Sequence, residues 1–251
     1  MSLPEDLITA LDRAAQTARL LVTSDFDGTL APIVSHPGDA RPLESAAVAL
    51  RALAAQPSTT AALISGRALA DLAVLSGLGA PVHLIGSHGA EFDTGFTHEI
   101  DTALLGAIGE ELTSIASRHP GVTVEAKPAS VALHVRNAEP GHGDAALSEA
   151  RHAAQSWDAH LTEGKAVLEF AVIVTDKGEA IDILRQRDDA SAVVFFGDDV
   201  TDEKAFRRMR DDDIGVKVGP GDTAAGYRIS TPEEVAAALE FLATARGNSA
   251  S

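Results

Sequence analysis

Apolar residues fall into two kinds of segment that alternate along the chain. RLLVTS at 19–24, TTAALIS at 59–65, PVHLIGSHG at 81–89, AVVFFGDD at 192–199 and IGVKVG at 214–219 are short and largely apolar. Such runs mark strands covered on both faces of a sheet. Between them, apolar residues recur at helical spacing over 3–18, 43–56, 69–77 (stopping at Gly77), 177–187, 202–209 and 232–245. Strands alternating with helices predict βαβ units and a parallel sheet. Thr231, Pro232 and Glu234 stand at the N-cap, N1 and N3 positions of the last helix, a helix-start pattern.

The pattern changes in the middle of the chain. A helix over 98–118 is followed by VTVEAK at 122–127 and SVALHVR at 130–136, with Pro128-Ala129 as the turn. The second of these strands alternates apolar and polar, as an antiparallel strand with one wet face does. A helix over 143–156 and the strands DAHLTEG at 158–164 and AVLEFAV at 166–172 repeat the motif. Helix-strand-strand taken twice predicts an αββαββ insert that folds apart from the βαβ pattern. The expected division is an α/β, Rossmann-like parallel-sheet core of residues 1–100 and 174–251 with an inserted α+β cap of residues 101–173. A cap of this kind opens to admit substrate and closes to exclude water. That places hinges near 95–105 and 172–177.

Composition narrows the chemistry. Hydrophobic residues make up 45% of the 251, enough for a proper core, but only 4% are aromatic, so Ala, Leu, Val and Ile must build it. There is no cysteine. That excludes a disulfide frame, a thiolate zinc site and a cysteine nucleophile, and fits a reducing cytoplasm. The first twenty residues carry acids and lack a basic stretch followed by an apolar one, unlike a signal peptide. The longest apolar runs fall short of the roughly 20 residues that span a bilayer. A formal charge of −17 repels nucleic acid and anionic lipid, so neither is expected as a partner. It repels a phosphate ester too, so any phosphate site needs local cations.

Four segments sit where core strands end, the place where open α/β sheets bind ligands. The first is Asp25-Phe26-Asp27-Gly28-Thr29-Leu30. Two carboxylates one residue apart at the mouth of a buried strand raise each other's pKa unless a cation or proton lies between them. A plain Asp-Gly turn accounts for only part of this pattern. The natural reading is a metal-assisted site with one Asp as nucleophile and the other moving protons. The second segment, Ser65-Gly66-Arg67, is a candidate anion site at a helix start, or else an ordinary serine N-cap. The third is Lys177, a cation at a helix N-terminus where it opposes the dipole, or else a surface lysine. The fourth is Gly197-Asp198-Asp199-Val200-Thr201-Asp202-Glu203, with four carboxylates in six residues. Oxygen ligands without cysteine favour Mg²⁺ over zinc; a solvated acidic face is the bland alternative.

In this order the four segments resemble the haloacid dehalogenase-like phosphohydrolases. The resemblance implies Asp25 as nucleophile, Asp27 as acid/base, Ser65 and Lys177 as phosphate-binding groups, and Asp198 as the metal-binding acid. Mg²⁺ would be held by Asp25, the Asp27 carbonyl and Asp198. SGR at 65–67, GSHGAE at 86–91, GDDVTDE at 197–203 and a Glu-x-Lys…His-x-Arg pair of cap strands narrow it to a resemblance to the trehalose-6-phosphate phosphatase family, over residues 20 to 245. This implies a cytoplasmic, monomeric Mg²⁺ enzyme acting on a small sugar phosphate, trehalose 6-phosphate, through an aspartyl phosphate. One departure stands out. Glu169-Phe170-Ala171-Val172 occupies the place where the family often has Glu-x-Arg-Pro.

A disaccharide is all hydroxyls, so its reader needs paired donors and acceptors. Candidates are Gly66, Arg67, His88 and Glu91 in the core, and Glu125, Lys127, Arg136 and Glu169 in the cap. Charged residues alternating on a strand pair also make an ordinary solvated face. His134 is open to a structural reading, and His83 is read as a buried structural residue. Asp199 and Asp202 steady the metal's waters or orient Lys177. Two alternatives remain: a phosphatase of the sucrose-phosphate or mannosyl-phosphoglycerate type, and a catalytically silent binding module. The signature of the last would be loss of Asp25, Asp27, Lys177 or Asp198, and all four are present.

Overall fold

The computed structural model describes residues 3–249. The chain forms two compact units, Met1–Gly95 with Thr175–Ser251, and Phe96–Val174. In chain order the first unit begins with α1 (Glu5–Ala15), β1 (Leu20–Ser24), α2 (Glu44–Ala54), β2 (Thr59–Ile64), α3 (Leu69–Ser76) and β3 (His83–Ile85), then a two-residue strand pair β4 (Glu91–Phe92) and β5 (Gly95–Phe96). The second unit follows as α4 (Thr102–Arg118), β6 (Thr123–Ala126), β7 (Ser130–His134), α5 (His142–Ala153), β8 (His160–Gly164) and β9 (Val167–Ala171). The first unit resumes with α6 (Lys177–Asp188), β10 (Ala192–Gly197), α7 (Asp202–Phe206), β11 (Ile214–Val218), β12 (Tyr227–Ile229) and α8 (Pro232–Ser249).

The first unit is an all-parallel six-stranded sheet in the order β12-β11-β10-β1-β2-β3. Alternate strand residues feed opposite faces. Leu20, Val22, Ala61, Leu63, Val194 and Phe196 pack against α1, α2, α3 and α8, while Leu21, Ala62, Ile64, Val193 and Phe195 pack against α6 and α7. This is why the strands read as continuous apolar runs: both faces are covered. From β1 the strand order runs outward through β2 and β3 on one side, and from β10 through β11 and β12 on the other. The gap between the carboxyl ends of β1 and β10 is therefore the switch point, where such sheets hold ligands. At the opposite end Arg246 of α8 ties the sheet's entry loops together. Its guanidinium donates to the carbonyls of Ala15, Thr17, Ala18 and Ser58.

The second unit has the expected αββαββ order. Its antiparallel sheet runs β6-β7-β9-β8. Leu133, Leu168, Val131 and Phe170 pack against Ile108, Leu112 and Ile115 of α4 and Ala146 and Ala150 of α5. Trp157 meets Phe170 edge-on, with ring centroids 5.1 Å apart.

Three local expectations change. The 81–89 run is a strand only over β3; beyond it Ser87 and His88 take positive φ (51° and 56°) in a single 3₁₀ turn. Short β4, β5 and β12 carry no apolar run long enough to announce them. His83 is half-buried on edge strand β3, not fully enclosed, and burial holds its imidazole below the usual histidine range. The helix-start signal at Thr231 is a capping box: Thr231 Oγ1 accepts from Glu234 N (3.4 Å), and Glu234 Oε2 accepts from Thr231 N (3.3 Å). Among the described residues no helix is long and apolar enough to cross a membrane.

Candidate active site

Asp25 follows β1, and its N–H continues the ladder to the Phe196 carbonyl (2.9 Å). The residue is 5% exposed. Its Oδ1 accepts from Phe26 N (2.7 Å) and lies 2.8 Å from Lys177 Nζ. Lys177 is the first residue of α6, capped by Asp176, whose side chain accepts from Glu179 N (3.0 Å). Placed against the helix dipole and buried, the ammonium is held by two carboxylates: Asp25, and Asp202 Oδ1 at 2.6 Å. Asp202 is fully buried, and its Oδ2 accepts from Asp199 N (2.9 Å). Asp202 thus orients Lys177, one of the two roles left open above.

Asp198 leaves the end of β10 and faces the β1 loop. Its Oδ1 accepts from Thr29 Oγ1 (3.1 Å). Gly28 makes that approach possible, since its φ is +79° and a Cβ there would lie 2.1 Å from Asp198 Oδ2. Oxygens of Asp25, Asp198 and Asp202 all lie within 4.8 Å of one another. Burial pushes the Asp25 carboxyl well above the usual range; Lys177 opposes this and Asp202 adds to it. Asp198 is raised by burial and by Asp202. Burial disfavours the Lys177 ammonium, but Asp25 and Asp202 outweigh it and hold its pKa up. Three carboxylates facing one ammonium leave uncompensated negative charge, and the donors are all oxygen. The residues present therefore fit a hard divalent cation such as Mg²⁺.

Asp27 takes the other side of the loop. It forms a two-point pair with Arg67: Nε to Oδ2 at 2.6 Å and Nη2 to Oδ1 at 2.7 Å. Arg67 also donates to the Pro37 carbonyl (2.8 Å) and lies 5.5 Å from the Phe26 ring centroid. The guanidinium is held above its ordinary pKa by the hydrogen bonds it donates to Asp27. Ser65, at the end of β2, is 2% exposed, and its Oγ accepts from Arg67 N (3.2 Å). It is not a helix cap: α3 starts at Leu69, so the serine belongs to a loop before the helix. Glu91 serves that helix, its Oε2 accepting from Leu69 N (2.8 Å) and Ser87 Oγ (3.1 Å). Gly66 lies under the His88 ring, where a Cβ would come within 2.4 Å of Cε1.

In the second unit the register aligns Glu125, Ala132, Glu169 and Thr162 in one row across the sheet. Glu169 accepts from Lys127 Nζ (3.0 Å) and Ser130 Oγ (2.6 Å). Glu125 pairs with His134 Nε2 at 2.8 Å. Glu125, Lys127 and Glu169 therefore share one polar face; Arg136 lies two residues beyond the end of β7. Thr29 was not singled out from sequence, although it lies inside a quoted motif. Lys217 was missed entirely; a lysine in the apolar run IGVKVG was its signal.

The parallel sheet, its charged switch point and the inserted αββαββ unit make the core a haloacid dehalogenase-like fold. The trehalose-phosphatase family model matches residues 23–232. The chain is 36% identical to the trehalose-6-phosphate phosphatase of Escherichia coli over 231 residues, 88% of this chain and 85% of that protein. It is 35% identical to the trehalose-phosphate phosphatase of Mycobacterium avium, covering 87% of this chain but 61% of that longer protein. The solved C-terminal domain of Candida albicans trehalose-6-phosphate phosphatase shares the fold, with a TM-score of 0.79 and 23% identity over 97% of this chain and 98% of that one. The chain belongs to the trehalose-phosphatase family.

Proposed function

We propose that the protein is a Mg²⁺-dependent phosphatase that hydrolyses trehalose 6-phosphate to trehalose and phosphate through an aspartyl phosphate on Asp25. The observation that carries this reading is the buried Asp25–Lys177–Asp202 triplet with Asp198 at the switch point, in a chain of this family. Asp25, the Asp27 carbonyl and Asp198 would hold Mg²⁺, which neutralises charge between the carboxylate and the phosphate.

Asp25 Oδ1 is engaged by Phe26 N–H and Lys177, so Oδ2 is the attacking oxygen. As the Oδ2–phosphorus bond forms, the bond from phosphorus to the sugar oxygen breaks. Lys177 and Ser65 stabilise the phosphoryl oxygens, where charge spreads in the transition state. Asp27 gives a proton to the departing sugar oxygen, then takes one from the water that cleaves the aspartyl phosphate. To do so it must leave Arg67, which holds both its oxygens. The paired donors and acceptors of Glu125, Lys127 and Glu169 are of the kind that reads sugar hydroxyls.

The test is phosphate release from trehalose 6-phosphate with Mg²⁺, beside sucrose, glucose and mannose phosphates, with Asp25→Asn as the blank. Selective release that disappears in Asp25→Asn is expected. Release from another sugar phosphate alone would keep the chemistry and move the substrate, the direction in which Ala171-Val172 departs from the family's Arg-Pro. Release from none would overturn the reading.

A further inference from the structure

β11 reads Ile214-Gly215-Val216-Lys217-Val218, and all five residues are buried. Lys217 is 4% exposed. Removing an ammonium from water costs several kcal/mol unless its partners repay it, so those partners define its role. Nζ donates to the backbone carbonyl of Asp198. It also lies 3.9 Å from Glu203 Oε1, an oxygen that accepts no hydrogen bond among the described residues. Glu203 Oε2 accepts from Ala224 N (2.8 Å), in the segment between β11 and β12. The strand register sets Lys217 opposite Gly197, the residue before Asp198.

We propose that Lys217 is a positioning residue for the cation site. It fixes the Asp198 peptide from beneath while Thr29 fixes the Asp198 carboxylate from the β1 side. The peptide and the side chain of one ligand are thus restrained from two directions, leaving the carboxylate aimed at Asp25 and Asp202. The same ammonium adds positive charge behind a group of three carboxylates. Glu203 holds the lysine's head against the loop and, through Ala224, anchors it to the far side of β11. This assignment rests on the Mg²⁺ reading above. Groups that orient metal ligands from behind change metal affinity or activity by about 10–100-fold when removed.

The experiment compares wild type and Lys217→Met, as full chains, by thermal unfolding over a Mg²⁺ titration starting from EDTA, with turnover measured at each concentration. The Mg²⁺ concentration giving half the stabilisation should rise about tenfold or more in Lys217→Met. Turnover should recover as Mg²⁺ is raised, with KM for the sugar phosphate unchanged. A lysine that merely fills the core would lower the melting temperature in EDTA and leave the Mg²⁺ midpoint at the wild-type value; that result overturns the proposal. A turnover loss that Mg²⁺ does not restore overturns it as well. Should Lys217→Met not fold, Lys217→Gln, which keeps an amide donor in the slot, is read by the same two outcomes. A wild-type protein with no Mg²⁺ response would instead overturn the Mg²⁺ reading itself.

Discussion

Asp198→Asn should make the metal-free protein more stable while abolishing its response to Mg²⁺. Oxygens of Asp198, Asp25 and Asp202 lie within 4.8 Å of one another. At an effective dielectric of about 20, one like-charge pair at that distance costs about 3.5 kcal/mol. Two effects reduce the gain. Asp198 also feels the attraction of Lys177, which asparagine loses, and its own raised pKa already relieves part of the repulsion. Asparagine's Oδ1 can still accept from Thr29 Oγ1, so no buried donor is stranded. A net stabilisation of about 1–2 kcal/mol follows, and for a protein of this size that is a rise of about 2–8 °C in Tm. Thermal unfolding followed by circular dichroism, in EDTA and then in Mg²⁺, reads both effects. A lower Tm than wild type in EDTA, or a wild-type Mg²⁺ shift in the variant, would show that these carboxylates do not repel as the geometry implies.

Four further outcomes follow from the same geometry. Asp25→Asn should lose trehalose 6-phosphate turnover by at least about 10⁴-fold, since removing a nucleophile removes the pathway; residual turnover near wild type would place the nucleophile elsewhere. Gly28→Ala should cripple Mg²⁺ binding, because its Cβ would lie 2.1 Å from Asp198 Oδ2 at a positive φ; an unchanged Mg²⁺ midpoint by thermal shift would contradict this. Folded-state pKa values of Asp25 and Asp198 above the ordinary 3.8 mean that the folded protein binds more protons than the unfolded one above that pH. These two groups' contribution to metal-free stability is therefore complete below that pH and lost as pH rises through the folded values. The difference in Tm between Asp198→Asn and wild type in EDTA should widen as pH rises, and a difference that narrows reverses the sign. Glu169→Gln weakens the Lys127 and Ser130 pairing and should raise KM for trehalose 6-phosphate by about tenfold or more, leaving p-nitrophenyl phosphate hydrolysis in place; equal loss on both substrates would argue against a sugar-reading role.

The sheet was legible because both of its faces are covered, so β1, β2, β10 and β11 appear as unbroken apolar runs. The αββαββ unit was legible from the repeated helix-strand-strand order. β4, β5 and β12 were not, being two or three residues long and set by neighbouring backbone rather than by side-chain pattern. Within the site, Asp25 and Asp198 stood out because charge at the end of an apolar run is costly, and Lys177 because a cation at a helix N-terminus opposes the dipole. The pairing of Asp27 with Arg67 was invisible: it joins residues 40 apart through loops with no periodicity. Glu91 shows the converse case, a carboxylate in a conspicuous motif whose visible partners are the α3 N-terminus and a neighbouring serine. Lys217 shows how a charged residue inside a strand pattern deserves the same scrutiny as a motif.

The pairing of β1 with β10 has a consequence for the order in which the molecule is made. Leu20 sits beside Ala192, so one edge of the first strand waits for a partner that the ribosome has not yet supplied. At synthesis rates of about 5–20 residues per second the delay is about 10–30 s. The inserted unit has its own apolar core and emerges complete during that interval. Asp25 is translated before the insert, and Lys177, Asp198 and Asp202 arrive after it. A nascent chain therefore holds Asp25 without its ion-pair partner until the insert has been made, and assembles the charged switch point only as the second half of the sheet closes against the first.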